Sequence, residues 1–150
     1  HVVCELIADL IHVAPDAIKL LYKCKGPEGV ILITDSMEAK HLPEGKYALG
    51  GQDVFVKNGS ARLADGTLAG SVLTLNQAIK NVKDVLGLRL TEAVDLATKN
   101  PAKNLSMGDH LGSIQKGFAA DFAVVDQDLN VYLTVRDGCL ISVKPGFVLA

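Results

Sequence analysis

The stretch "ELIADLIHVAPDAIKLLYKCKGPEGVILITDSM", Glu5 to Met37, decides how the rest of the chain is read. It opens as an apolar strand, Glu5 to Val13, interrupted by Asp9. Pro15 then marks a helix start, Ile18, Leu21 and Tyr22 fall on one face, and Gly26 supplies the stop. A second apolar run, Val30 to Thr34, follows and ends on a bare carboxylate, Asp35. Strand, helix and strand with no hairpin turn between them predict a right-handed parallel β/α/β unit covered on both faces. One such unit cannot cover itself, because parallel strands sit in complete sheets or barrels. The sequence thus predicts that part of the sheet comes from elsewhere.

Beyond Asp35 the pattern changes. "YALGGQDVFVKNGSARLADGTLAG" is glycine-rich and alternates apolar with polar residues, and Asn58-Gly59 between Val54-Phe55-Val56 and Ala61-Arg62-Leu63 predicts a hairpin within a β excursion from Tyr47 to about Leu63. Next, Leu75, Ala78, Ile79, Val82 and Leu86 form one helical stripe that ends on Gly87. Thr91 reads as the N-cap of a further helix and Pro101 as its break, with Ala102 to Leu105 adding a short helical turn. The C-terminal segment returns to β, with strands near Phe122 to Val125, Val131 to Val135 and Cys139 to Val143, the last two joined at Asp137-Gly138.

With 150 residues, 49% of them hydrophobic, and a net charge of -2, the chain can build a folded domain with a substantial core. Its basic residues are scattered and not interleaved with aromatics, so no nucleic-acid partner is expected. Cys4, Cys24 and Cys139 are odd in number, widely spaced and set in apolar sequence, which predicts reduced core thiols and not a disulfide framework or a zinc site. No apolar run approaches the roughly 18 residues of a membrane span, and no basic start leads into an apolar stretch. A cytoplasmic protein without a membrane partner is expected. The first residue, His1, fits a fragment or a processed product.

The chemistry of β/α barrels gathers at the C-terminal ends of their strands, so Asp35 is a catalytic candidate. Aspartate also caps turns through side-chain to backbone hydrogen bonds, and the residue alone does not separate the two roles. His12 lies near the end of the preceding strand and would open onto the same face as Asp35 if the strands are parallel neighbours. A lone histidine can equally be a structural hydrogen-bonding residue. Asp9 fits a role in orienting its neighbours, and His41 and His110 read as solvated loop residues. No His, Cys and Asp residues share the close spacing of a self-contained metal site.

Four segments, "ELIADLIHV", "ILITDSM", "LADGTLAGS" and "GSIQKGFAADFAVVD", occur here in an order and spacing that resemble the N-acetylglucosamine-6-phosphate deacetylases of the amidohydrolase superfamily. The resemblance runs along essentially the whole chain, which looks like the family's C-terminal part. It implies an α/β fold class: the C-terminal part of a metal-dependent (β/α)8 barrel plus strands of a small β-sandwich domain. Residues 1–111 would belong to the barrel, with a β-hairpin insertion at about 46–64, and residues 112–150 would supply strands of the composite sandwich. The first two strands would match the barrel's seventh and eighth.

The same resemblance implies the function of a deacetylase, which hydrolyses the acetamide of N-acetylglucosamine 6-phosphate to glucosamine 6-phosphate and acetate. Asp35 matches the family's catalytic aspartate, His12 matches a substrate contact in the family's D-G-I-H-V segment, and Leu68, Ala69 and Gly70 match a loop lying against the substrate. A divalent metal, zinc or iron, and a dimeric assembly are implied as well. The metal's glutamate and two histidines lie upstream of this region in the family, so no metal ligand is assigned here and the isolated chain is expected to be inactive. One position departs from the pattern: Leu10 stands where the family has glycine. Two other functions fit the residues, a non-catalytic half-barrel that self-associates and an amidohydrolase acting on a cyclic amide.

Overall fold

The computed structural model describes residues 2–148. Strand β1 (Cys4–Ile7) lies parallel to β2 (Val30–Ile33) in a register that runs from Cys4↔Val30 to Ile7↔Ile33, and helix α1 (Pro15–Lys25) makes the crossover between them. Proline at the first helical position needs no amide partner, and Gly26 at φ +72° closes α1 by donating its N–H to Tyr22 O at 2.9 Å. Ile18 is fully buried, with Leu21 and Tyr22 packed beside it.

β1 is shorter than the apolar run Glu5 to Val13 predicts. Asp9 ends it: its Oδ1 accepts the amides of Ile11 and His12 at 2.9 and 2.8 Å, and Leu10 adopts φ +66°. These local hydrogen bonds replace a sheet ladder, so residues 9–13 form a turn and not a strand.

Helix α2 (Leu75–Leu86) buries Ala78 and Val82 and stops at Gly87, which takes the left-handed conformation. Its apolar stripe, with Ile18 of α1 and Leu96, covers Leu6, Val30 and Leu32 in the main core. Helix α3 (Leu90–Asp95) starts one residue before Thr91, which lies inside it; the cap is Arg89, whose backbone N–H donates to Glu92 Oε2 at 2.8 Å. Pro101 does not break a helix. It sits in the first turn of α4 (Lys99–Asn104), where its missing N–H leaves no intrahelical bond unmade.

Strands β3 (Gly45–Leu49), β4 (Gln52–Lys57) and β5 (Ser60–Leu63) form an antiparallel sheet between β2 and α2 in the chain. Asn58-Gly59 makes the expected hairpin turn with both residues at positive φ, and Gly50-Gly51 makes another that adds β3 ahead of it. Met37, Ala39, Val54, Val56 and Ala61 give this excursion a core of its own.

The C-terminal strands β6 (Phe122–Val125), β7 (Val131–Arg136) and β8 (Cys139–Val143) form a third antiparallel sheet, with Asp137-Gly138 as the turn read from sequence. Leu129 and Leu133 are buried, and Asn76 of α2 donates to Leu129 O at 3.0 Å, which docks the sheet. Every residue of β6 and β8 is exposed. The cysteines are free, as expected, but they are not core thiols: Cys139 lies on exposed β8, Cys24 lies on the solvent side of α1, and Cys4 is half-buried. No helix among the described residues is long and apolar enough to cross a membrane.

Candidate active site

The parallel register places the ends of β1 and β2 side by side, so the Asp9 turn and Asp35 emerge at the same carboxyl end of the sheet. Val30, Ile31 and Leu32 are buried, whereas Asp35 is exposed. Asp35 also takes φ +48°, which turns the chain sharply out of the strand. The amides beside it are satisfied by other groups: Ser36 N–H by Thr34 Oγ1 at 3.4 Å and Met37 N–H by Ser71 O at 2.9 Å. Its carboxylate is therefore not employed in capping them.

The segment Leu68 to Gly70 reaches Asp35 from across the β excursion. Leu68 bridges to Arg62, and Ala69 N–H donates to Ala61 O at 3.0 Å. Ser71 N–H then donates to Asp35 O at 2.9 Å. Gly70 has φ +69°, and a Cβ built on it would lie 3.4 Å from Asp35 O and 3.6 Å from Leu49 Cδ2. Glycine at this position allows the two backbones to approach closely.

His12 stands on the turn after β1. Its Nδ1 lies 2.6 Å from Asp9 Oδ2, with side-chain exposures of 19% for His12 and 8% for Asp9. Burial raises the pKa of Asp9, but hydrogen bonds from the His12 amide and ring and from the Ile11 amide outweigh it and hold the carboxyl below its ordinary value. Asp9 thus orients the imidazole, the role its position in the sequence allowed. No buried side-chain nitrogen lacks a partner among the described residues, so the unbonded Nε2 of His12 reaches solvent. His41 and His110 are exposed and stand apart from this turn in sequence.

Sequence reasoning did not single out Ser36 and Ser71. Ser71 is 2% exposed. Its Oγ donates to Thr34 O and accepts Leu73 N–H at 3.2 Å, while Ser36 Oγ donates to Leu73 O. The serine at the end of "LADGTLAGS" was the available signal, but its partner lies 35 positions earlier. Among the described residues, no three His, Cys, Asp or Glu side chains gather where they could hold a metal ion. A groove of about 380 Å³ opens beside Asp9, Leu10, Leu73 and Asn81.

The arrangement offers an exposed carboxylate and an oriented imidazole at the carboxyl end of a parallel sheet, next to a close-packed glycine loop. Similarity to known proteins extends over nearly the whole chain. A model described as the amidohydrolase family matches residues 1–141. The N-acetylglucosamine-6-phosphate deacetylase of Bacillus subtilis is 43% identical over 136 residues, which cover 91% of this chain and 34% of the relative. The chain therefore spans about a third of that relative's length. The crystal structure of N-acetylglucosamine-6-phosphate deacetylase from Thermotoga maritima superposes with a TM-score of 0.86 at 40% identity, covering 93% of this chain and 38% of that one. A mutant of the Mycobacterium smegmatis enzyme, solved in complex with N-acetyl-D-glucosamine-6-phosphate, superposes with a TM-score of 0.85 at 36% identity, over 92% of this chain and 37% of that one. Matched along nearly its whole length by the family model and by solved deacetylases of the same local fold, the chain belongs to the amidohydrolase family.

Proposed function

We propose that the chain is the C-terminal part of a deacetylase that removes the acetyl group from N-acetylglucosamine 6-phosphate. In this reading residues 1–111 close a β/α barrel whose other strands lie outside the chain, and residues 112–150 add strands to a small sandwich. The observation that carries it is the exposed Asp35 at the end of a buried strand, joined through Ser71 to the loop Leu68 to Gly70. Similarity to the Mycobacterium smegmatis enzyme solved with the sugar phosphate supports the substrate.

Asp35 accepts a proton from the water that attacks the acetamide carbonyl. It returns that proton to the sugar nitrogen as the C–N bond breaks, since an unprotonated amine is too poor a leaving group to depart. Acetate and the amino sugar phosphate result. His12, held by Asp9, offers Nε2 to the substrate, and the Leu68 to Gly70 backbone lies against it. Members of the amidohydrolase family are generally dependent on divalent metals. The described residues do not fit a complete metal cage, so proton transfer by Asp35 is the step assigned to this chain. The exposed β6 and β8 support a homodimer or a covering segment of the same polypeptide.

The test is deacetylation of N-acetylglucosamine 6-phosphate by the complete polypeptide that contains this chain, beside the same protein carrying Asp35→Asn. The wild type is expected to turn over, and the variant to lose roughly a hundredfold or more in kcat. An Asp35→Asn enzyme as fast as the wild type sinks the catalytic assignment. A wild type that leaves the sugar phosphate intact sinks the substrate.

A further inference from the structure

Asp35 and the loop Leu68 to Gly70 are separated in sequence by the whole three-stranded excursion, yet the proposed chemistry requires them in fixed register. β2 ends at Ile33, so no strand ladder of its own holds Asp35. Instead Ser36 and Ser71 form an isolated parallel bridge. Asp35 O accepts Ser71 N–H and Met37 N–H donates to Ser71 O, each at 2.9 Å, so the main chain of Ser71 grips the residues two apart on either side of Ser36.

The two hydroxyls extend this grip along both segments. Ser71 Oγ donates to Thr34 O, the carbonyl immediately before Asp35, and also accepts Leu73 N–H. Ser36 Oγ donates to Leu73 O, and the two hydroxyl oxygens lie 3.4 Å apart. Carbonyls on both sides of the Asp35 Cα are thus held from Ser71, one by its amide and one by its hydroxyl. A buried hydroxyl is costly to leave unpaired, so this network is stable only when the segments are in register.

We infer that Ser71, assisted by Ser36, is the positioning residue that sets the Asp35 carboxylate against the Leu68 to Gly70 loop. Ser71 is buried and acts through the backbone around Asp35. Ser71 determines the peptide planes flanking Asp35, and with them the direction in which its side chain leaves the positive-φ turn. The inference rests on Asp35 being the acid/base group.

The experiment measures kcat and KM of the complete metal-loaded enzyme with N-acetylglucosamine 6-phosphate for the wild type, S71A, S36A, Asp35→Asn and Val82→Ala. Val82 is fully buried in the main core and its side chain takes no part in the serine hydrogen bonds, so Val82→Ala controls for lost stability. All rates are taken at a temperature where circular dichroism shows each protein folded. S71A is expected to lower kcat roughly ten- to hundredfold, the scale of an ångström-size misplacement, and to raise KM. S36A should act in the same direction more weakly, and Val82→Ala should lower the melting temperature while kcat stays within about twofold of wild type. S36A, on the less buried side, carries the test if S71A does not fold. A folded S71A or S36A with wild-type kcat, or a rise in KM alone, overturns the inference. Normal turnover by Asp35→Asn would overturn the acid/base reading itself and would be seen separately.

Discussion

One carboxylate, Asp9, binds the Nδ1 of His12 through Oδ2 at 2.6 Å and the amides of Ile11 and His12 through Oδ1. The imidazole and the turn that carries it are therefore held by the same group. Hydrogen bonds to a charged partner each contribute about 1.5–3 kcal/mol, so Asp9→Ala is expected to destabilise the chain by at least that much in urea denaturation. An unchanged urea midpoint would show that the turn holds without it.

The lowered pKa of Asp9 fixes the sign of a pH effect. A carboxyl with a folded value below its unfolded value of about 3.9 contributes stability that is fully present above that pH. The contribution is lost as the pH falls through the folded value. Wild type should thus lose more stability than Asp9→Asn between about pH 5 and about pH 3, as read from urea midpoints. Equal losses would mean that Asp9 is not linked to folding.

Leu10 occupies φ +66°, a conformation that costs a residue with a Cβ about 1–2 kcal/mol. Glycine removes that strain but adds roughly 0.5–1 kcal/mol of unfolded-chain entropy. Leu10→Gly should therefore be neutral or stabilising by up to about 1.5 kcal/mol, whereas the β-branched Leu10→Val should destabilise. Thermal melts of the two variants check the order, and a less stable Leu10→Gly would contradict it.

At Gly70 the sign reverses. Alanine there would keep φ +69° strained and place its Cβ 3.4 Å from Asp35 O. A loss of about 1 kcal/mol or more is expected from the backbone alone, together with a shift of the Asp35 amide resonance in a heteronuclear NMR spectrum. A spectrum with only the signals next to residue 70 displaced would show that the loop and Asp35 move independently.

The C-terminal sheet exposes Leu140 at 55% and Ile141 at 60%, at the point in β8 where its register with β7 shifts. An uncovered apolar sheet promotes association, so the isolated chain should sediment as oligomers. The pair Leu140→Lys and Ile141→Lys should shift it toward monomer without lowering its melting temperature. Oligomers that persist in that variant would place the interface elsewhere.

Much of this fold was legible because its signals are local. The β/α/β unit followed from two apolar runs around a helix with proline at its start and glycine at its end, and Asn58-Gly59 and Asp137-Gly138 marked two hairpins. The misreadings were local too. Asp9 diverted the chain into a turn that the apolar pattern of residues 5–13 concealed, Glu92 reached back to make Arg89 the cap in place of Thr91, and Pro101 fell at a position where it does no damage. Of the candidate site, Asp35 and His12 stand out in the sequence by their place after apolar runs. Leu68 to Gly70 stood out only through family resemblance, because any glycine turn looks alike in sequence. The serine pair was illegible since a hydroxyl's role depends on a partner 35 residues away.

The bridge between Ser36 and Ser71 also makes a closed neck beneath the three-stranded excursion, which has its own core of Val54, Val56 and Ala61. Loop closure depends only weakly on length, with each doubling adding about 0.6 kcal/mol. Evolution can therefore lengthen, shorten or redecorate the tips at Gly50-Gly51 and Asn58-Gly59 while the carboxylate at the neck stays where it is. Length and composition at those tips are thereby uncoupled from the backbone that carries Asp35.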